Sequence, residues 1–315
     1  MRVLICAVSF FFCVSCISCK DSEINEREKE VSNDLLLTES SYDSSYVLSK
    51  DFLFLLSDFD LNEISTLEGV LKKAQEKWLR PRGKERWEYK TQKNSRLKAL
   101  VLPILKRLKM VYEVKPSKKN YDYILILGAT SKRMEARIKY FFQTVKNYKL
   151  NFKEVFLLSG ERPLNAKVDS LDSLPELLST CHFEACAMEE IWKRDSKVYG
   201  FENFPYTLID AKASIKGGKR LRPTTVDTVF EWLDKKNPAH ASCLAISNNP
   251  YIGYQNASIE YALKSLQKKD IQVETIGDKS SEDTSLSLYY DSLARWFYFI
   301  AKTIKLSKSP SRLHK

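Results

Sequence analysis

Apolar runs and amphipathic stretches alternate along the chain from about residue 121 to residue 304. Continuous apolar runs are typical of buried parallel strands, and they lie near 123–128, 154–159, 206–210, 242–247 and 271–276. Stretches with helical periodicity follow them near 132–147, 182–194, 225–235, 254–267 and 286–304. This order predicts an α/β fold, with a mainly parallel five-stranded Rossmann-like sheet flanked by helices.

Helical periodicity also dominates residues 48–120, which we predict to form a helical accessory region in front of the α/β domain. Pro103 lies inside one of its periodic stretches and predicts a kink or a break there. The segment from Trp78 to Tyr89 is both basic and aromatic. It is either a lid or a surface for an anionic polymer, or an irregular loop whose tryptophans anchor it to the core.

Residues 1–19 have the pattern of an export signal, with Arg2 in front of a short apolar segment. That segment is too short to span a membrane comfortably. The sequence Cys16-Ile17-Ser18-Cys19 resembles a bacterial lipobox, which makes Cys19, or alternatively Cys16, the candidate for lipidation. An uncleaved membrane anchor and plain secretion are the alternatives. All three place the body of the protein outside the cytoplasm.

Polar and charged residues dominate both flanks of the predicted folded region. Residues 20–47 are poor in apolar residues and predict a disordered tether, and residues 305–315 form a basic tail. Over the whole chain, 51 Lys and Arg exceed 40 Asp and Glu, which gives a formal net charge of +11. This excess favours an anionic partner such as membrane lipid, wall polymer or a phosphate ligand, unless it is simply a soluble basic surface. We expect no nucleic-acid partner, because the chain has no recognised nucleic-acid motif.

The histidines and cysteines argue against several kinds of site. Three His are present, and they form neither a zinc-binding pattern with Cys nor an evident Ser/His/Asp order. We therefore predict no metal site, and the sequence identifies no cofactor. Cys181 and Cys186 are five positions apart, a spacing that we interpret as unsuited to a bridge or to zinc. Cys243 makes the internal count odd, so these cysteines are predicted to be buried apolar residues.

Four strand ends carry polar or glycine-containing clusters, within 128–133, 159–162, 222–227 and 247–255. Right-handed crossovers place the carboxyl ends of parallel strands at one edge, where ligands bind in α/β sheets. Small residues there let the backbone approach a ligand, helix-start N–H groups attract anions, and Asn, Gln and Tyr suit sugar hydroxyls. The candidate ligand-binding residues are Gly128, Thr130, Arg133, Ser159, Gly160, Glu161, Arg162, Thr224, Thr225, Ser247, Asn248, Asn249, Tyr251, Tyr254 and Gln255.

Two carboxylates near these clusters are candidates for catalysis. Glu184 lies near the start of a predicted helix, and Asp227 lies in the first turn of the next one. A carboxylate in a cleft can act as a general base or as a metal ligand. Both also have a structural interpretation, because acidic residues in a first turn favour the helix dipole and Thr224 or Thr225 is a natural N-cap.

The order of these motifs resembles the SanA/YdcF/ElyC-like group of proteins. A strand ending in Leu-Gly-Ala is followed by Arg, a strand ending in Ser-Gly, Glu-Ala, Thr-Thr-x-acid and a strand ending in Ser, over roughly residues 121–304. The matching positions are Gly128, Arg133, Ser159, Gly160, Glu184, Thr225 and Asp227. The resemblance implies a Rossmann-like α/β fold. For bacterial members it implies an association with the envelope and with maintenance of wall or polysaccharide.

The chain departs from the pattern of that group at the strand ends. Glu161 stands where a second Gly is usual, and Ser247, Tyr251 and Tyr254 stand where Thr, His and Arg are usual. These departures remove an acid/base group and an anion clamp.

The resulting expectation is an exported, lipid-anchored protein of the bacterial envelope. It would bind a cell-wall or lipid-linked saccharide, with or without a phosphate, at the carboxyl edge of the sheet. One alternative is a hydrolase or transferase that acts on such a substrate through Glu184 and Asp227. The other is a non-catalytic structural or interaction lipoprotein.

Overall fold

A computed structural model of the protein describes residues 36–39, 46–57, 66–80 and 95–308. The predicted export signal with Cys16 and Cys19, most of the basic aromatic segment and the end of the basic tail lie outside these residues. Among the described residues, no helix has both the length and the apolar character needed to cross a membrane.

Strands and helices alternate from Tyr123 onward, behind a mainly helical N-terminal part. The strands are β1 (Leu37–Glu39), β2 (Tyr46–Leu48), β3 (Tyr123–Leu127), β4 (Glu154–Gly160), β5 (Tyr206–Ala211), β6 (Ser214–Lys216), β7 (Lys219–Leu221), β8 (Ala241–Asn248) and β9 (Ile271–Asp278). The helices are α1 (Lys50–Leu55), α2 (Leu67–Lys77), α3 (Ser95–Arg107), α4 (Ser131–Tyr148), α5 (Ala166–Asp169), α6 (Leu177–Thr180), α7 (Glu184–Tyr199), α8 (Thr225–Lys236), α9 (Ile252–Ser265) and α10 (Leu286–Lys308).

Five of these strands form one parallel sheet in the order β5-β4-β3-β8-β9. β3 lies at its centre, where Ile124 is opposite Val155 of β4 and Leu244 of β8. Helices flank the sheet, so the prediction of an α/β fold with a mainly parallel five-stranded Rossmann-like sheet is confirmed. Because all five strands are parallel, their carboxyl ends lie at one edge.

The sheet buries a core on each face, because successive side chains of a strand point to opposite sides. On β3, Ile124 and Ile126 belong to the larger core, which contains apolar residues of α4, α7 and α10. Leu125 and Leu127 belong to a second core with Trp232 of α8 and with residues of α9. Burial of both faces explains why the central strands are apolar throughout.

The N-terminal helices pack into the larger core. Phe52 of α1 contacts Phe297 of α10, with ring centroids 5.0 Å apart. Gln75 of α2 donates a hydrogen bond to the Ala294 carbonyl at 2.7 Å. α3 continues through Pro103, so the helix is not broken there. The described part of residues 48–120 therefore contributes α1, α2 and α3 to the body of the protein.

Part of the segment predicted as a tether is structured. β1 and β2 pair as antiparallel strands, with Leu37 opposite Leu48. Leu36 and Leu48 are buried in the larger core. A few apolar residues are enough to hold this segment against the domain, so the tether prediction does not apply to residues 36–39 and 46–48.

Cys181 and Cys186 form a disulfide bond, so the prediction that they are unbridged was wrong. Cys181 has an extended backbone after α6, whereas Cys186 lies in the first turn of α7. The chain changes direction between them and brings their Cα atoms to 5.5 Å, which is within bridging range. A spacing of five is unfavourable inside one helix, but it is suitable across a helix start. Cys243 is free and buried.

Candidate functional site

A pocket of about 210 Å³ lies at the carboxyl edge of the sheet, beyond the ends of β3 and β4. Its walls come from the turn between β3 and α4, from the segment after β4, from the starts of α7, α8 and α9, and from α10. The predicted site residues in its lining are Gly128, Thr130, Arg133, Gly160, Arg162, Glu184, Thr224, Thr225, Tyr251, Tyr254 and Gln255. Residues from all four strand-end clusters therefore meet in one cavity.

Arginines dominate the charge of this lining. The lining arginines are Arg80, Arg133, Arg137, Arg162, Arg222 and Arg295. Within the described part of the chain, Glu184 is the acidic residue of the lining. A cleft with low-dielectric walls and an excess of one charge concentrates ions of the opposite charge. The lining therefore favours a ligand that carries negative charge.

One side of the pocket is a buried ion-pair network, which we call the Arg162 wall and which consists of Arg162, Asp169 and Glu184. Arg162 Nε donates to Glu184 Oε2 at 2.6 Å, and the two terminal nitrogens of Arg162 each donate to Asp169 at 2.9 Å. Ser159 Oγ donates to Glu184 Oε1 at 3.1 Å. The Ser131 N–H donates to Asp169 Oδ1 at 2.8 Å. The first free N–H of α4 is thus bound by one of the protein's own carboxylates.

The two carboxylates of the Arg162 wall have opposite pKa shifts. Burial alone would raise the pKa of Asp169, but the hydrogen bonds and charge of Arg162, with two backbone N–H groups, outweigh it and hold that pKa below its ordinary value. Burial is the largest effect on Glu184 and raises its pKa, although Arg162 and Ser159 oppose the shift. Burial acts to lower the pKa of Arg162, yet the two carboxylates raise it. The charge of Arg162 is therefore matched within the protein.

Gly128 allows Glu184 to lie against the end of β3. A Cβ atom at position 128 would overlap Glu184 Oε1 and would lie 2.9 Å from the Leu158 carbonyl oxygen. Glycine avoids both contacts because it has no side chain. The sequence predicted that a small residue here admits a ligand, and the structure shows that it admits Glu184.

Arg137 lies in the same pocket but has a different environment. Its four hydrogen-bond acceptors are neutral oxygens: Leu127 O at 2.7 Å, Gly128 O at 2.9 Å, Asn248 Oδ1 at 2.9 Å and Gln255 Oε1 at 3.3 Å. In the part of the chain that the structure describes, no Asp or Glu forms an ion pair with it. Arg137 is also 2% exposed.

Arg137 therefore places a buried positive charge at the floor of the pocket. Burial is the main reason why the pKa of its guanidinium falls to about 10, so the group is still protonated at neutral pH. Glu184 attracts Arg137 without accepting a hydrogen bond from it, so the buried charge is only partly compensated, which is unfavourable. An anion bound in the pocket would add the compensating charge.

The start of α8 forms an open side of the pocket. Arg222 and Thr224 are exposed, and Thr225 is half-buried. Asp227 does not belong to the lining, because its Oδ2 accepts from both the N–H and the hydroxyl of Thr224 at 2.7 Å. This arrangement caps the helix. The structure therefore does not bring the two candidate catalytic carboxylates, Asp227 and Glu184, together in the pocket.

Tyr254 adds a half-buried aromatic ring to the lining, and Tyr251 is buried beside it. Their ring centroids are 6.1 Å apart and their planes are nearly perpendicular. The guanidinium carbon of Arg133 lies 4.8 Å from the centroid of the Tyr251 ring. Rings beside a guanidinium suit a ligand that has both an apolar face and a negatively charged group.

Arg80 and Arg295 share Asp291 on another wall. Arg295 Nε donates to Asp291 Oδ2 at 3.1 Å, and Arg80 Nη1 lies 3.6 Å from the same oxygen. Asp291 is buried. Arg80 brings the N-terminal part of the chain into the site, which the sequence did not predict.

Three predicted ligand-binding residues lie directly behind the lining. Ser159 hydrogen-bonds Glu184, as described above, and Ser247 Oγ donates to Gln255 Oε1. Asn248 Oδ1 accepts from Arg137 Nε. These residues orient side chains that face the pocket.

Two other predicted ligand-binding residues have partners away from the pocket. Asn249 Nδ2 donates to the backbone carbonyls of Lys109 and Tyr112. Glu161 accepts from the Ala213 N–H and from Arg220 Nη2, both at 3.0 Å. Asn249 thus fixes the segment after α3, and Glu161 fixes the segment after β5.

Arg137, like Arg80, lines the pocket but was not predicted from the sequence. In the sequence, Arg137 resembles any other cation of an amphipathic helix. The available signal was its position four residues after Arg133, because residues i and i+4 lie on the same face of a helix. If Arg133 faces the strand ends, Arg137 is therefore expected to face them as well.

In the described residues, no group of three or more His, Cys, Asp or Glu side chains is arranged to hold a metal ion. Neither a protein-family model nor a curated protein matches the chain. The resemblance to the SanA/YdcF/ElyC-like group therefore stays a prediction from the order of the motifs.

Proposed function

We propose that the protein is an exported, lipid-anchored envelope protein that binds a phosphorylated cell-wall or lipid-linked saccharide in this pocket. Arg137 is the main reason to expect a negatively charged ligand, because it is a buried cation whose four hydrogen-bond acceptors are neutral oxygens. Guanidinium groups form their strongest hydrogen bonds with phosphate and carboxylate oxygens. Among the described residues, the six lining arginines still outnumber the three carboxylates that pair with them, Asp169, Glu184 and Asp291, which supports the same ligand charge.

The lining residues between the arginines are suited to a saccharide. Tyr254 supplies a half-buried ring, and Thr225 supplies a hydroxyl group at the start of α8. Sugar rings have apolar faces that pack on aromatic rings and hydroxyls that exchange hydrogen bonds with polar side chains. A phosphate held by arginines and a sugar held by this second group of residues would together occupy the cavity.

Two further features support a location outside the cytoplasm. The first nineteen residues have the pattern of an export signal with a lipobox-like sequence. The disulfide between Cys181 and Cys186 is typical of an oxidising compartment, because cytosolic thiols are normally kept reduced. The resemblance to an envelope-associated group points in the same direction.

The ligand class is tested by thermal unfolding of the full chain with N-acetylglucosamine 1-phosphate, N-acetylglucosamine and inorganic phosphate. A ligand that binds the folded state raises Tm, and at equal concentration the ligand that binds more tightly raises it more. We expect the sugar phosphate to raise Tm most, and the neutral sugar least. Arg133→Gln should reduce the shift, because Arg133 lines the pocket.

Arg107→Gln is the matched control, since Arg107 pairs with Asp51 outside the pocket. It should leave the shift caused by the sugar phosphate unchanged. The proposal is wrong if the neutral sugar shifts Tm as strongly as the sugar phosphate, or if none of the three compounds shifts it.

The anchor is tested by growing cells with labelled palmitate. Label should enter the wild-type protein and disappear in Cys19→Ala, or in Cys16→Ala if cleavage occurs there. Retention of label in both variants would overturn the lipid anchor without affecting the ligand proposal.

A further inference from the structure

A short antiparallel hairpin, which we call the basic hairpin and which comprises residues 212–222, projects beside the open side of the pocket. Its strands β6 and β7 pair Ile215 with Arg220 and turn through Gly217 and Gly218. Both glycines have positive φ, +56° and +73°, as a tight two-residue hairpin turn requires. Arg222, at the end of the basic hairpin, already lines the pocket.

The charged residues of the basic hairpin are all cationic. Residues 212–222 include Lys212, Lys216, Lys219, Arg220 and Arg222 and contain no Asp or Glu. Glu161 accepts from the Ala213 N–H and from Arg220 Nη2, and Lys212 pairs with Glu161 and Asp210. These charges are therefore compensated within the protein, whereas Lys216 lies at the tip, next to the turn.

The same hairpin exposes apolar side chains. Ile215 is 80% exposed and Leu221 is 45% exposed. Phe183, which is also exposed, lies against the hairpin, with Arg220 5.3 Å from its ring centroid. The exposed side chains of a hairpin that contacts only water are normally polar. Exposed apolar residues among cations are instead typical of a surface that binds anionic lipid.

We propose that the basic hairpin docks on an anionic lipid bilayer, with Lys216 near the headgroups and Ile215 inserted among them. Charge complementarity selects this partner, because each Lys or Arg at the surface of an anionic bilayer contributes to binding and an exposed aliphatic side chain gains from leaving water. The contact would hold the mouth of the pocket close to the membrane surface. It does not depend on which ligand the pocket binds.

The contact is tested by hydrogen–deuterium exchange of the full chain with vesicles. Vesicles of phosphatidylcholine alone are compared with vesicles of equal parts phosphatidylcholine and phosphatidylglycerol. Peptides covering residues 212–222 should exchange more slowly with the anionic vesicles only. This local readout separates the hairpin from any binding by the N-terminal segment.

A matched pair of double variants identifies the surface. Ile215→Asp with Lys216→Glu changes the tip. Leu266→Asp with Lys269→Glu makes the same charge changes at exposed residues between α9 and β9, at the opposite edge of the sheet. Because each surface charge contributes about fivefold in affinity, the tip variant should weaken binding to anionic vesicles by more than about tenfold. The control variant should keep both the affinity and the slowed exchange.

Three outcomes would overturn the lipid contact. The first is unchanged exchange in residues 212–222 with anionic vesicles, and the second is an equal loss of affinity in both double variants. The third is equal slowing by soluble polyphosphate, which would assign the hairpin to a soluble polyanion. The Tm shift with N-acetylglucosamine 1-phosphate, measured on the tip variant, reports on the pocket separately.

Discussion

Arg162 and Arg137 line one pocket and are both buried, yet the protein surrounds them differently. Arg162 donates to two carboxylates, Asp169 and Glu184. Arg137 donates to four neutral oxygens of Leu127, Gly128, Asn248 and Gln255. Burial of an arginine therefore does not by itself mark a binding site. The acceptors decide whether its charge is used within the fold or is left for a ligand.

The largest expected effect is on stability, from Arg162→Gln. This change leaves two buried carboxylates without their cation, and breaking a buried pair in this way costs about 3–5 kcal/mol. Urea unfolding, or failure of the variant to fold, reports the loss. Adding Glu184→Gln should recover part of it, because one uncompensated charge is then removed. A loss below about 1 kcal/mol would mean that the wall is not structural.

Arg137→Gln applies the same substitution to the other arginine, with a smaller expected effect on stability. No carboxylate is left unpaired, so the cost is that of buried carbonyl oxygens losing donors, about 1–3 kcal/mol. The Tm shift with N-acetylglucosamine 1-phosphate should disappear. If Arg137→Gln destabilises the protein as much as Arg162→Gln, the contrast between the two arginines is wrong.

Acidification should weaken the Arg162 wall through Asp169. The pKa of Asp169 is lowered in the folded state, so the unfolded chain takes up a proton first as the pH falls. The free energy of unfolding should therefore decrease below about pH 4, by about 1.4 kcal/mol for each unit between the two pKa values. Glu184, with its raised pKa, acts in the opposite direction and at higher pH.

This dependence is measured by urea unfolding between pH 6 and pH 3. Asp169→Asn should flatten the decrease, whereas Arg137→Gln should keep it. An unchanged slope in Asp169→Asn would show that other carboxylates cause the acid dependence.

The smallest expected effect on stability comes from Arg222→Gln, at the open side of the pocket. Arg222 is exposed, and surface substitutions usually change stability by less than about 0.5 kcal/mol. Urea unfolding should therefore match the wild type. Isothermal titration with N-acetylglucosamine 1-phosphate should still show weaker binding. Unchanged affinity would remove the start of α8 from the site.

The parallel sheet could be predicted because its strands are buried on both faces. Ile124 to Leu127 face two cores in alternation, so the whole run is apolar and its period does not need to be resolved. The disulfide could not be predicted from spacing alone. Whether residues five apart can bridge depends on the helix start that lies between Cys181 and Cys186.

The positions of the strand-end clusters predicted the pocket, but they did not assign its residues to roles. Glu161 and Arg162 are adjacent in the chain, yet Glu161 binds the basic hairpin and Arg162 enters the pocket. Asp227 accepts the hydrogen bonds that cap its own helix and does not face the pocket. Neighbouring polar residues at a strand end point in different directions, and the direction depends on partners that are distant in the chain.

The contact between Arg80 and Asp291 joins residues 211 positions apart. Contacts of such separation form late, because the intervening chain must first be brought together. During synthesis the N-terminal part emerges first, and it must wait for α10 before this wall of the pocket exists. A nascent chain would therefore carry the strand-end clusters well before it could hold a ligand with full affinity.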